Sequence, residues 1–243
     1  MRAVMGAETR GSTAHSPPTM SSETRPASLD SPCELCELRC GAFRRAGRQG
    51  RCGVADSSRV FRCYVSLAEE LDLSPALMVY LGGCNFRCRF CTQAPRCYRA
   101  DDGMDLLTPE MIGRIDAAAP AVRWINWVGG EPSLHAPALV EARRRLRADT
   151  PWLLNTNGYF TRECRELVDG LFDLYVVDLK FGADACAAAL AGVPRYLRVL
   201  RRNLREIYAT GPQRLLVRHL LMPGHERCCF EPTVRWVAAN LPG

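Results

Sequence analysis

Three cysteines fall within eight residues in the run Cys84-Asn85-Phe86-Arg87-Cys88-Arg89-Phe90-Cys91. Thiolates spaced this closely can wrap three corners of an iron–sulfur cube, as the cysteine runs of ferredoxins do. A ferredoxin brings a fourth cysteine to each cube. This run holds three, which leaves one iron open, and an open metal position marks a reactive site more often than a structural one. The blander readings are a zinc knuckle or free thiols. A second run, Gly129-Gly130-Glu131-Pro132, sets a carboxylate beside two glycines. The glycines admit a ligand to the backbone, and the carboxylate can accept hydrogen bonds from an ammonium group. Taken alone, this run also reads as a tight turn.

Further candidates carry more than one reading. Cys33-x2-Cys36-x3-Cys40 with Cys52 supplies four thiols at a spacing suited to zinc or an auxiliary iron–sulfur cluster. Asn155 and Asn157 can shape a turn, Asp178 and Lys180 can form an ordinary ion pair, and His219 alternates with apolar neighbours as a core histidine would. His225, Cys228 and Cys229 form a further group. Adjacent side chains diverge in regular structure, which disfavours shared ligation by Cys228 and Cys229. Arg44, Arg45, Arg48 and Arg51, interleaved with the leader cysteines, read as a solvated face or one that meets an acidic partner.

Reactive runs of this kind need strand ends to hold them. Short apolar stretches stopped by turn residues predict strands at 77–81, 122–128, 152–155, 174–179 and 215–221. Helical patterns lie at 108–118, 136–147, 161–168, 196–208 and 232–239, with Pro109 at a first helical position and Thr161 as a cap. Strand–helix alternation implies a parallel sheet. Five units are too few for a closed eight-fold barrel of about 250 residues, so a partial barrel or a doubly wound sheet is expected. In both, functional loops follow the carboxyl ends of the strands, where these candidates fall. The predicted organisation is a disordered polar tail over 1–31, a Cys-rich metal-binding leader over 32–75, and the α/β domain over 76–243. Met20 is an alternative initiator. No sixth strand is read after Leu241, so the chain is truncated or the barrel short.

The 243 residues are 47% hydrophobic and 24% charged, with a formal charge of +6. That charge alone does not point to nucleic acid as a partner. No run of about 18 apolar residues predicts a membrane span. Of 13 cysteines, nine lie between Cys33 and Cys97. Without an apolar secretory segment, clustered thiols indicate metal binding in the reducing cytoplasm more than a disulfide framework.

The triad, with an aromatic residue before its third cysteine, resembles the signature of the radical S-adenosylmethionine superfamily. The resemblance implies a [4Fe-4S] cluster on Cys84, Cys88 and Cys91 whose open iron binds the amino and carboxylate groups of S-adenosylmethionine. Electron transfer to the sulfonium then releases methionine and a 5′-deoxyadenosyl radical, which takes hydrogen from a substrate. It also implies that the main chain at Phe90 meets the adenine and that Gly129, Gly130 and Glu131 hold the amino group. Asp178-Leu179-Lys180 is similar to the Asp-x-Lys of pyruvate formate-lyase-activating enzymes, in which a fifth-strand histidine, here His219, lies near the cofactor. Asn155, Asp178, Lys180 and His219 therefore join the expected cofactor-binding set. The runs 127–135 and 217–225 resemble an uncharacterised branch of activating-enzyme-like radical proteins, over roughly residues 33–243. That branch carries a similar Cys-rich leader, which favours metal at Cys33, Cys36, Cys40 and Cys52. The family fold is a partial (β/α)6 barrel. The implied partners are a low-potential donor such as flavodoxin or ferredoxin and a protein substrate, with a glycyl radical enzyme as one candidate. The alternative is a non-catalytic iron–sulfur or zinc protein used for electron transfer or partner binding. Gly129 to Glu131 favours the enzyme, because an electron carrier needs no amino-acid clamp.

Overall fold

Apolar runs bounded by Gly and Pro become strands, and threonine caps start two of the helices that follow them. The computed structural model describes residues 32–68 and 70–242; the expected tail at 1–31 lies outside them. In chain order the elements are β1 (Arg59–Ser66), β2 (Ala76–Leu81), β3 (Met104–Asp105), α1 (Pro109–Ala118), β4 (Trp124–Gly129), α2 (Ala136–Arg145), β5 (Trp152–Thr156), α3 (Arg162–Val168), β6 (Leu174–Asp178), α4 (Asp184–Ala191), α5 (Tyr196–Thr210), β7 (Leu215–Arg218) and α6 (Glu231–Asn240). They build one seven-stranded sheet in the order β3-β1-β2-β4-β5-β6-β7. Strands β2, β4, β5, β6 and β7 run parallel, as the strand–helix alternation requires. The fold is an α/β partial barrel with a Cys-rich N-terminal region laid against it.

Three departures from the sequence reading have physical causes. Strand β1 lies inside the leader range and pairs antiparallel with β2, with the two-residue β3 beyond it. Its arginines and half-buried edge position erase a clean alternation. Strand β7 stops at Arg218 instead of Leu221. Its neighbour β6 ends at Asp178, opposite Arg218, so no ladder remains to pair with. Helix α4 went unread because its run Asp-Ala-Cys-Ala-Ala-Ala-Leu-Ala has no polar–apolar periodicity.

Thr108 caps α1 by accepting from Met111 N at 3.3 Å, and Thr161 caps α3 by accepting from Cys164 N at 3.1 Å. The Thr161 hydroxyl also donates to the Glu34 carbonyl at 2.7 Å, tying the leader to the barrel. Alternate strand residues divide the sheet into two faces. Leu77, Val79, Leu81, Ile125, Trp127 and Leu154 belong to the main core with residues from the helices, and Trp127 packs on Trp152 with ring centroids 4.7 Å apart. Met78, Tyr80, Trp124, Leu153, Val176 and Leu216 belong to smaller clusters on the other face. Among the described residues, no helix is long and apolar enough to cross a membrane.

Candidate functional site

The second face ends in a ring of side chains at the carboxyl ends of the parallel strands. Tyr80, Val128, Asn155, Asp178 and Arg218 come from β2, β4, β5, β6 and β7 and line one cavity of 430 Å³. Register accounts for this layer: Tyr80 lies opposite Val128, and Asp178 opposite Arg218. The volume is within the range of small-molecule sites. The loops after the strands complete the lining with Cys84, Cys88, Phe90, Cys91, Gly129, Gly130, Lys180 and His219. Eight residues expected from sequence as triad or cofactor-binding groups thus share one cavity with Asn155 and Asp178. Tyr80, Val128 and Arg218 are additions that only the strand register reveals.

The triad loop is anchored by its aromatic residues. Phe86 is 1% exposed and packs edge-on against Tyr159, with ring centroids 5.5 Å apart. Phe90 meets Phe181 at 6.0 Å. Asn85 Oδ1 accepts from Asn157 Nδ2 at 2.8 Å, and Arg87 Nη1 donates to the Cys84 carbonyl at 2.6 Å. Asn157 Oδ1 also accepts from Tyr159 N at 2.9 Å, so this residue shapes its turn and braces the triad loop together.

The thiols differ in their electrostatics. Burial pushes Cys84 well above the ordinary thiol range, with the Glu131 carboxylate adding to the effect. Burial raises Cys88 to about 11, against the pull of the Lys180 ammonium. Cys91 is lowered, chiefly by a hydrogen bond from Cys97. Cys97 is buried, its sulfur 3.5 Å from that of Cys91, and its pKa is raised in turn by the same contact. The sequence reading gave Cys97 no role, and its six-residue separation from Cys91 offered no motif.

Gly129 and Gly130 are glycines for a packing reason as well as for access to the cavity. Gly129 has φ +128°, and a Cβ there would run into the Leu81 backbone. At Gly130 a Cβ would strike the Gly83 carbonyl and lie 2.8 Å from that of Cys97. The exit of β4 is thereby pressed against the segment that leads into the triad. Glu131 is engaged within the protein. Its residue is 0% exposed and its carboxylate accepts from Thr156 Oγ1 at 2.6 Å, Asn157 N at 2.8 Å and Ser133 N at 3.1 Å. Three internal donors occupy the side chain that was expected to meet an ammonium. It braces the loop behind the cavity.

Asp178 pairs with Lys180 and, at 3.5 Å, with Arg218, so the ion-pair reading and the cavity reading hold together. His219 Nδ1 lies 2.6 Å from the Leu179 carbonyl, which places the proton on Nδ1. Its Nε2 is then an acceptor, inaccessible to solvent and without a hydrogen-bond partner. An orphaned acceptor at a cavity wall suits a ligand donor.

The leader covers the flank of this mouth. Cys36 makes a β-bridge to Phe160, and Arg44 is buried and donates to the Leu134 carbonyl at 2.6 Å. This corrects the solvated-face reading for Arg44. Burial raises Cys33, with smaller contributions from Cys40 and Cys52, and raises Cys36 to about 12, with smaller contributions from Cys52 and Cys33. The four leader thiols therefore share one neighbourhood.

A parallel barrel whose open end carries a cysteine triad beside a small-molecule cavity has the layout of a cofactor-dependent enzyme. The sequence model of the Radical SAM superfamily matches residues 78–237, and the chain belongs to that superfamily. Its members are enzymes that use an iron–sulfur cluster, typically [4Fe-4S], and S-adenosylmethionine. An uncharacterised protein of Methanocaldococcus jannaschii is 31% identical over 215 residues, which cover 86% of this chain. The chain spans 62% of the length of that relative. The donor set here fits the cofactors of the superfamily: three thiols at one cavity, a glycine-lined wall and an unpartnered imidazole nitrogen.

Proposed function

We propose that Cys84, Cys88 and Cys91 hold the [4Fe-4S] cluster and that the 430 Å³ cavity holds S-adenosylmethionine. When bound, the cluster supplies the electron that splits the sulfonium into methionine and a 5′-deoxyadenosyl radical. The observation that carries this reading is the convergence of the triad, Gly129, Gly130 and the strand-end ring on one cavity. An electron carrier has no use for such a space beside its cluster loop.

The chain's own groups have separable roles. Lys180 places positive charge near Cys88 and favours its thiolate. Gly129 and Gly130 present backbone to the methionine end. Tyr80, Val128 and Phe90 give apolar walls that limit water. His219 Nε2 offers an acceptor, and the Asp178 carboxylate, flanked by Lys180 and Arg218, is held in a fixed orientation. The likeness of Asp178-Leu179-Lys180 to activating enzymes supports hydrogen abstraction from a glycyl residue of a partner protein, with a flavodoxin or ferredoxin as donor. The leader thiols Cys33, Cys36, Cys40 and Cys52 are proposed to hold a second metal.

The test is electron paramagnetic resonance of the anaerobically reduced protein with and without S-adenosylmethionine, alongside assay of 5′-deoxyadenosine. A [4Fe-4S] signal that changes on adding S-adenosylmethionine is expected, as is its loss in Cys88→Ala. Retention of that cluster and of cleavage in a Cys84/Cys88/Cys91→Ala protein overturns the assignment.

A further inference from the structure

A second set of metal-type ligands gathers away from the triad and the leader. Cys186 lies in α4, while His225, Cys228 and Cys229 lie between β7 and α6. Their four ligand atoms lie within 4.8 Å of one another. The sulfurs of Cys186 and Cys228 are 3.7 Å apart, and those of Cys228 and Cys229 are 3.9 Å apart. His225 Nδ1 is 3.3 Å from the Cys228 sulfur and 3.8 Å from the Cys229 sulfur.

These separations match the edges of a tetrahedron around one ion. Zn–S bonds of about 2.3 Å and a Zn–N bond of about 2.05 Å at tetrahedral angles put sulfurs about 3.8 Å apart and sulfur about 3.6 Å from nitrogen. A disulfide needs about 2.05 Å between sulfurs, far shorter than either contact. Thiolates on an iron–sulfur cube bind separate irons and spread wider than this. The geometry is that of a single ion.

The local backbone explains how adjacent cysteines converge. Residues Glu226–Phe230 form a π-helical turn, not a regular α-helix. The wider turn overcomes the divergence that argued against shared ligation from sequence. Single π turns recur at functional positions. Two contacts fix the turn independently of the thiols. Gly182 packs so tightly on the Cys229 backbone that a Cβ would overlap it. The ring of Phe230 lies 5.8 Å from that of His219.

We propose that Cys186, His225, Cys228 and Cys229 bind one zinc ion, which fastens the segment after β7 to α4. Three thiols release their protons to solvent as the ion binds. Four protein ligands close the coordination sphere, so the ion is structural and not catalytic. Its consequence reaches the cavity. The fastened segment begins with His219 and Leu220, both in the cavity lining, and follows the last parallel strand of the described residues.

The test uses the full chain, purified anaerobically from zinc-supplemented cells, with zinc and iron measured separately. X-ray absorption at the zinc edge should show an imidazole nitrogen beside sulfur, in the ratio of three sulfurs to one nitrogen in a Cys36→Ser/Cys52→Ser protein whose leader site is removed. The leader set has four cysteines and no histidine, so an imidazole signal cannot come from it. A Cys186→Ser/Cys228→Ser protein should lose about one zinc per chain and keep the iron of the parent. An all-sulfur zinc shell or a zinc-free parent protein overturns the proposal, as does a Cys186–Cys228 disulfide in the mass spectrum. The absorption spectrum of the parent decides the matter even if the double variant fails to fold.

Discussion

At the scale of single residues, sulfur and imidazole surroundings set the most direct expectations. Cys97 stands 3.5 Å from Cys91 and is the donor of that contact when Cys91 is the thiolate. Hydrogen bonds to cluster sulfurs raise reduction potential. In Cys97→Ala the iron content should stay at the parent value while the cluster potential falls by about 20–60 mV, the equivalent of one hydrogen bond. A redox titration followed by paramagnetic resonance reads this, and an unchanged potential removes Cys97 from that role. His135 is the second case. Its Nε2–H donates to the Gly82 carbonyl at 2.8 Å and its Nδ1 accepts from the Ser58 hydroxyl at 2.9 Å. Burial is the main reason its pKa falls to about 3. Between that value and the usual 6.5, the unfolded chain takes a proton that the folded chain refuses. Stability from this group is therefore complete above pH 6.5 and is lost as pH falls. The slope is about 1.4 kcal/mol per pH unit, so acidifying to pH 5 should cost about 2 kcal/mol. Denaturant titrations at pH 5 and 7 should show this difference shrink in His135→Gln. An equal pH effect in both proteins assigns it elsewhere.

At the scale of elements, the exit of β4 is held by Glu131 and the exit of β5. Glu131 accepts from Ser133, Thr156 and Asn157, and Asn157 in turn holds Asn85 of the triad loop. Removing the carboxylate leaves three buried donors without an acceptor, at a cost of about 3 kcal/mol or more. Glu131→Ala should therefore lower the melting temperature and the iron content together. A variant with parent stability and iron that loses only S-adenosylmethionine affinity would show that the side chain faces the ligand after all.

At the scale of the whole molecule, a leader with little periodicity is held against a well-packed barrel. Arg44, Thr161 and the Cys36–Phe160 bridge make the join. If Cys33, Cys36, Cys40 and Cys52 hold a metal, its loss should loosen this flank without melting the sheet. Metal analysis of a Cys84/Cys88/Cys91→Ala protein, with and without a further Cys36→Ser/Cys52→Ser change, is the measurement. The added change should remove about one metal site. Identical metal content in the two proteins makes the leader thiols structural.

Much of this was legible in the chain itself. Five parallel strands, five of the six α-helices described and the triad follow from local patterns: apolar runs ended by glycine, threonine caps and close thiol spacing. Each is decided by a few neighbouring residues, so sequence suffices. Asn155, Asp178 and Lys180 could be placed because they sit at predicted strand ends, where an α/β sheet exposes its residues, whereas His219, inside a predicted strand, was reached only through the family resemblance. Tertiary structure alone decided what those residues face. The inward layer of Tyr80, Val128 and Arg218 depends on register between strands distant in sequence. Glu131 lies outside the cavity lining, its carboxylate claimed by Ser133 in its own loop and by Thr156 and Asn157 at the exit of β5. Cys97 reached Cys91, and Cys186 reached His225 and Cys228, across 6, 39 and 42 positions of chain. Local spacing carries no information on such contacts, because they are set by how the sheet and its loops pack once the core is buried.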